Sequence, residues 1–257
     1  MVDSMKPPEG GGLDALASKF RSLGLDSEAD LQPLLTLVKI REAVSRNQNI
    51  VDTASPPRQL TVLLAGVACL HRRLEDGSRQ IYTFQYPGDF CDLHRYVLPE
   101  LDQAVAVLAL TDCLIGTIRH DDMERTLAQH PNIGLAFWRA SMLEASIFRE
   151  RLLNISRRAA LPRIASIICE QLIRLEAINV NGTAIPVTQV DLADAAGLSV
   201  VHVNRIVQDL RNSGALAKET RSIEVANREK LVELANFNGR YLNMPNVLSH
   251  WKIDNGR

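Results

Sequence analysis

Between Thr188 and Ser213 the chain reads TQVDLADAAGLSVVHVNRIVQDLRNS, and these residue types at these spacings can do one kind of chemistry well. Thr188 is an N-cap candidate, with Asp191 three residues on in a capping-box spacing. Leu192, Ala193 and Ala196 form a small apolar face, and Gly197 offers a tight turn through a positive φ. Ser199 can cap a second helix, whose Val203, Ile206, Val207 and Leu210 bury one side. Bulky residues are expected to be excluded near Ala193 and Gly197, where the two helices cross. This is what a helix-turn-helix requires. The other side of the second helix carries Val200, Val201, His202, Asn204, Arg205, Gln208 and Asp209. An arginine can fork to guanine O6 and N7, carboxamides can pair with base edges, and a valine can meet a thymine methyl. GALAKETRSIEVAN then reads as two short strands around a polar turn, a wing that sets Lys218 and Arg221 for phosphates. An ordinary helical hairpin with a solvated face is the plainer alternative; the length match and the wing weigh against it.

The charge around this motif is balanced. Arg205, Arg211, Lys218, Arg221 and Arg228 stand against Asp191, Asp194, Asp209, Glu219 and Glu224, and a basic excess lies upstream in Arg149, Arg151, Arg157, Arg158 and Arg163 against Glu150. The whole chain has net charge −1, so a nucleic acid would have to be met by a local patch.

The elements that must position the motif come next. The chain has 257 residues, 46% hydrophobic and 23% charged, enough for a sizeable core in one large or two ordinary domains. Residues 1–12 are Pro/Gly-rich and expected to be disordered. Residues 13–45 read as helical, with Leu31, Leu34, Leu35 and Val38 at spacings of three and four. From Leu60 to Ile118 short β-branched runs alternate with turns. Asp76-Gly77 between TVLLAGVACLHRRL and RQIYTFQY signals a hairpin, and a link at Pro99-Glu100 is expected to carry a helical turn. An antiparallel barrel or sandwich follows. Helical periodicity returns from Met123 to Ile155, with Pro131 near a helix start and two apolar stripes. One is Ala136, Ala140, Leu143 and Ile147; the other is Trp138, Ala145, Phe148, Leu152 and Ile155. A helix apolar on two sides needs two partners, one of them plausibly the same helix of a second copy. A hinge is expected at Asn154 to Arg158, then a helix from Leu161 to Ala177.

The order of β-roll, long helix and winged helix-turn-helix resembles the Crp–Fnr superfamily of bacterial transcription regulators. GLSVVHVNRIVQDLR (197–211), LEDGSRQI (74–81) and YPGDF (86–90) carry the resemblance, which spans about residues 30–235. It implies an α+β fold. A disordered stretch 1–12 precedes an antiparallel β-roll (cyclic-nucleotide-binding-like jelly roll) with N-terminal helices over 13–130. A dimerisation helix over 131–156, a winged helix-turn-helix over 157–239 and a tail over 240–257 follow. It also implies a homodimer on a near-palindromic site of double-stranded DNA. Arg205 then falls on the family's guanine-reading arginine and Ser199 on its capping serine. Val201 stands where the family usually has a glutamate, which alters the expected half-site, with His202 and Asn204 as replacement contacts. The sensor side departs further. Cyclic-nucleotide-binding members place Gly-Glu after Gly-Asp-Phe and an Arg-Ser pair about ten residues later; here stand Cys91-Asp92-Leu93-His94 and Gln103-Ala104. The closest resemblance is to a subgroup with a DLH segment after GDF. An effector pocket, if one is used, would be lined by Asp92, His94, Arg95 and Gln103, and the effector is expected not to be cyclic AMP.

Other chemistries find little support. No cysteine precedes Cys69, so an N-terminal iron–sulfur cluster is not expected. Cys91 with His94 is similar to the pair of haem-sensing members, but a buried cysteine beside a polar loop histidine is the simpler reading. His71 and His120 stand alone, and no catalytic motif is present, so neither enzyme activity, a metal nor a cofactor is expected. Widely spaced cysteines, no secretion signal and no apolar run of about 18 residues lead to the expectation of a cytoplasmic chain with no membrane partner. RNA polymerase and an unidentified small molecule complete the candidate partners. The alternative of another class is a ligand-binding or scaffold protein whose helix-turn-helix meets protein.

Overall fold

The computed structural model describes residues 12–52, 59–98, 105–180, 182–218 and 222–251. The expected disorder of the N-terminus therefore lies, apart from Gly12, outside the described residues, as do Gln103, Ala104, Arg221 and the link at Pro99-Glu100. The chain divides into two compact units. One comprises residues 1–73 and 84–144, the other residues 74–83 and 145–257.

The first unit opens with α1 (Leu13–Ser22) and α2 (Glu28–Leu37). The expectation of helix to residue 45 is corrected here: Ile40–Val44 is a strand, β1, antiparallel to Cys113–Arg119, β7. The five-residue run IREAV is too short for periodicity to distinguish helix from strand, and pairing with β7 decides it. The apolar run beginning at Thr61 is likewise not one element. It breaks at Gly66 and Val67 into β3 (Gln59–Ala65) and β4 (Ala68–Arg73), which lie in different sheets. One sheet has the order β1-β7-β3. The other has β2 (Asn49–Val51), β6 (Ala106–Ala109), β4 and β5 (Arg79–Gln85) in the order β2-β6-β4-β5. The registers given for β1–β7, β3–β7, β2–β6 and β4–β6 are antiparallel, as expected for a roll. A short helix that the sequence reading missed, α3 (Leu93–Val97), follows the PGDF turn. The core holds Leu16, Phe20, Leu31, Leu34, Leu60, Val62, Leu64, Ile118, Met123 and Ile133, all fully buried. Phe20, Phe90 and Phe137 pack edge-on or tilted, with ring centroids 4.9–5.9 Å apart. Asp89 anchors the turn by accepting from the Tyr86 N–H and pairing with Lys19.

The helical stretch expected from Met123 to Ile155 comprises α4 (His120–Gln129) and α5 (Pro131–Arg157), with a helix start at Pro131 as the sequence suggests. Pro131 has no N–H to donate, so the new helix starts there at no cost in hydrogen bonds. On α5 the first predicted stripe is inward: Ala136 and Ile147 are buried, Ala140 and Leu143 half-buried. Of the second, Trp138 (64%), Phe148 and Leu152 (67%) are exposed while Ala145 and Ile155 are half-buried; Leu135, Met142 and Leu153 are exposed beside them.

In the second unit α6 (Ala160–Ala177) is the central element, buried continuously from Ile164 to Leu175. Around it lie β8 (Ala184–Ile185), α7 (Gln189–Ala196), α8 (Val200–Asn212), β9 (Ile223–Glu224), α9 (Arg228–Ala235), a 3-10 turn at Gly239–Leu242 and α10 (Pro245–His250). The wing needs correction in detail. Its second strand, β9, pairs with β8, which precedes the helix-turn-helix, while its first is a single bridge, Leu216 to Val225.

Candidate nucleic-acid interface

The helix-turn-helix closes locally as its residues dictate. Thr188 and Asp191 form a reciprocal capping box: the Thr188 Oγ1 accepts from the Asp191 N–H at 3.2 Å, and Asp191 Oδ2 accepts from the Thr188 N–H at 2.9 Å. Gly197 ends α7 in the left-handed region, with φ 64°. The glycine is needed for its φ, as expected; the expected crowding is not found at it, since a Cβ there would meet nothing closer than Ile155 Cγ2 at 3.8 Å. The close crossing is borne by Ala193 and Ala196, both buried. Ser199 Oγ then accepts from the His202 N–H at 3.2 Å and starts α8.

Helix α8 has one wholly buried side, Val203, Ile206, Val207 and Leu210. Its other side is solvent-exposed at Val200, Val201, His202, Asn204, Arg205, Gln208 and Asp209, with Val201 66% exposed. Ser199 and Lys218 are exposed as well. Among the described residues Arg205 makes no ion pair or hydrogen bond, so its five donors are free for a ligand. Asn204 is partly engaged: its Nδ2 donates to Gln189 Oε1 at 3.0 Å. Gln189, the first residue of α7, escaped the sequence reading because nothing in a 15-residue separation announces that pair.

The balanced charge around the motif is also resolved. Arg79, more than 100 residues upstream, donates from Nη2 to Asp191 Oδ1 at 2.7 Å and from Nε to Asp194 Oδ2 at 2.6 Å. The one guanidinium charge bridges both α7 carboxylates and offsets half of their summed charge. The upstream basic excess, by contrast, is largely structural. Arg151 pairs with Glu170 and Arg158 with Glu150, and Arg163 donates to the carbonyl of Ala196 at the end of α7. Arg149 and Arg157 remain exposed.

The residues predicted to line an effector pocket lie in the other unit. Asp92 is buried. Its Oδ1 accepts from the Thr61 N–H at 2.8 Å and its Oδ2 from the Thr61 hydroxyl at 2.9 Å. Burial pushes its carboxyl up to about 6, against the opposing pull of these bonds and of Arg95. Arg95 is buried and donates to the Asp52 carbonyl at 2.9 Å. His94 is half-buried, and desolvation, with the Arg95 charge, lowers its pKa. Leu93 packs into the apolar core. Burial also pushes the Cys91 thiol well above its ordinary value, with Asp92 adding to the effect. Among the described residues no group of His, Cys, Asp and Glu is arranged to hold a metal ion, and no helix is long and apolar enough to cross a membrane.

Comparison with known proteins places this geometry in a family. Residues 162–234 match the Crp-like helix-turn-helix domain, and residues 41–130 match the cyclic nucleotide-binding domain. The chain is 27% identical over 225 residues to the transcriptional activator protein FnrL of Cereibacter sphaeroides, covering 84% of this chain and 89% of that protein. It is 23% identical over 203 residues to the nitrogen fixation regulation protein FixK of Azorhizobium caulinodans, covering 77% of this chain and 79% of the other. Among solved structures, FixK2 of Bradyrhizobium japonicum superposes with a TM-score of 0.67 at 24% identity, over 77% of this chain and 98% of that one. The c-di-GMP-responsive regulator CLP of Xanthomonas campestris superposes with a TM-score of 0.65 at 14% identity, over 78% and 100%. With a cyclic-nucleotide-type β-domain followed by a Crp-like helix-turn-helix, the chain belongs to the Crp–Fnr superfamily of DNA-binding transcription regulators.

Proposed function

We propose that the protein binds a near-palindromic DNA site as a homodimer, reading bases with α8 and phosphates with Ser199, Lys218 and Arg221, under an effector other than cyclic AMP. The observation that carries the reading is the unpaired, exposed Arg205 on a helix whose opposite side is fully buried. A rigid helix with a free guanidinium suits bidentate guanine recognition. Val200 and Val201 offer apolar contact to a thymine methyl, and His202, Asn204 and Gln208 supply polar contacts to base edges.

The dimer is supported by the open stripe of α5. Leu135, Trp138, Met142, Phe148, Leu152 and Leu153 leave six large apolar side chains exposed along one helix, the kind of patch that marks an interface. Two chains meeting there would bring a recognition helix to each half-site. The resemblance to named activators supports RNA polymerase as a further partner, and the absence of a membrane-spanning helix among the described residues is compatible with a cytoplasmic site of action.

An effector other than cyclic AMP is supported by side chains already committed elsewhere. Leu93 is in the core, and both carboxylate oxygens of Asp92 are used by Thr61. Gln103-Ala104 offers no cation for a cyclic phosphate. Selection of bound duplexes from a random pool by the full chain tests the reading. Enrichment of an inverted repeat with a guanine in each half supports it; recovery of no preferred sequence overturns it.

A further inference from the structure

The helix-turn-helix match ends at residue 234, yet the chain continues as a folded segment. Asn236 turns it back after α9 with φ 44°. Phe237, Leu242, Leu248 and Trp251 are then all buried, so this stretch is packed and not a loose tail. We propose that residues 236–251 form a strap that locks the joint between α5 and α6, with Glu170 and Glu176 of α6 as its anchors.

Glu170 is 2% exposed and divides its two oxygens between different elements. Oε1 accepts from Arg151 Nη2 of α5 at 3.1 Å, and Oε2 accepts from the Tyr241 hydroxyl at 2.9 Å. Arg174 Nη1 lies 3.8 Å from Oε1. One buried carboxylate therefore joins the end of α5, the middle of α6 and the strap. A buried carboxylate must keep its donors, because an unmet oxygen in this setting is costly. Glu176 makes the second anchor. Its Oε2 accepts from Trp251 Nε1 at 3.0 Å and from Arg228 Nη1 at 3.1 Å, while His250 Nδ1 stands 3.4 Å from Oε1. The Arg228 guanidinium also lies over the Trp251 ring, 5.0 Å from its centroid.

The joint itself is short. Helix α5 ends at Arg157 and α6 begins at Ala160. Arg158 braces it at close range, donating to Asn154, Ser166 and Glu150, while Arg163 donates to the Arg158 carbonyl. Braces so near the pivot resist bending weakly. The Arg151–Glu170–Tyr241 set acts ten residues into α6, where the same bond opposes a larger displacement. The functional consequence rests on the proposed dimer: if α5 is the seam, the direction in which α6 leaves it sets the distance between recognition helices. The strap then makes the protein selective for half-site spacing.

The test uses the full-length chain beside Tyr241→Phe and a chain ending at Asn236. Backbone hydrogen exchange is followed over residues 154–163, and binding is measured on duplexes whose half-site spacing is varied base pair by base pair. In Tyr241→Phe, exchange at the joint is expected to rise about tenfold, with α8 unchanged. Discrimination between the best and neighbouring spacings should fall by about the same factor, and affinity for a single half-site should hold. The truncated chain should exceed both effects; if it does not fold, Tyr241→Phe decides. Unchanged exchange at the joint in Tyr241→Phe overturns the strap. A wild-type chain that binds without spacing preference defeats the dimer reading instead, and the exchange result still judges the strap.

Discussion

Arg205 is the residue on which DNA recognition is expected to turn. It is exposed, unpaired among the described residues, and held on a capped helix, so little order is lost when it forks to a base. Arg205→Ala should weaken binding to the preferred site by about 1–3 kcal/mol and relax selectivity at one base pair per half-site. Competition binding against sites substituted at each position measures both. Equal discrimination by variant and wild type would remove Arg205 from the reading set. Asp92 carries the second residue-scale expectation. Its folded pKa, about 6, lies above the ordinary carboxylate value because burial favours the neutral acid. Its contribution to stability is therefore fully present below the unfolded pKa and is lost as pH rises through about 6. The loss at pH 7 is on the order of 2–3 kcal/mol. Asp92→Asn keeps an acceptor for the Thr61 N–H and has no proton to lose. Relative to wild type it should gain stability between about pH 4 and pH 8, as read from urea melts at a series of pH values. A constant difference across that range would contradict the assignment.

At the scale of elements, the proposed assembly rests on α5. Its inner stripe is consumed by the chain's own core, and its outer stripe, from Leu135 to Leu153, is left to water. Leu152→Asp puts a charge near the C-terminal end of that outer stripe, at its most exposed residue. In a paired seam this costs several kcal/mol, whereas on an exposed helix in a monomer it costs little. The variant should therefore fall to monomer mass by light scattering while keeping its circular dichroism. A retained dimer mass would move the seam elsewhere. The helix-turn-helix shows a second element-scale point. Its two helices are assembled from local caps, but the acidic face of α7 is partly offset by Arg79 at the start of β5, a residue distant in sequence.

For the molecule as a whole, the question is which ligands the proposed effector domain excludes. It matches a cyclic nucleotide-binding domain, yet the side chains nearest the PGDF turn are already occupied: Leu93 by the core, Asp92 by Thr61 and Arg95 by the Asp52 carbonyl. Cyclic AMP is expected to show no binding in calorimetric titration up to the high micromolar range, since a buried phosphate without a cation is poorly compensated. Micromolar binding stoichiometric with the chain would overturn this. The same titration with Leu93→Glu is expected to remain silent, because one carboxylate restores a ribose contact and leaves the phosphate unmatched.

Much of this protein was legible from its residues alone, and the reason is locality. The cap at Thr188, the positive φ at Gly197, the cap at Ser199 and the apolar period of α8 act within a few residues of one another, so the helix-turn-helix and its exposed face could be read before any fold. The Asp76-Gly77 hairpin and the α5 stripes were legible for the same reason. Partners distant in sequence were not. Ile40–Val44 became a strand because β7 was there to pair with it, and β9 found β8 across the helix-turn-helix. Nothing near Asp92 in the sequence announces Thr61, 31 residues away, as the partner of both its oxygens. Arg79 on the two aspartates, and Tyr241 with Arg151 on Glu170, are charged or polar groups brought together from far along the chain. Periodicity and capping are written in neighbouring residues. The pairing of buried polar groups is chosen only when tertiary packing removes water and leaves each group a few partners within reach.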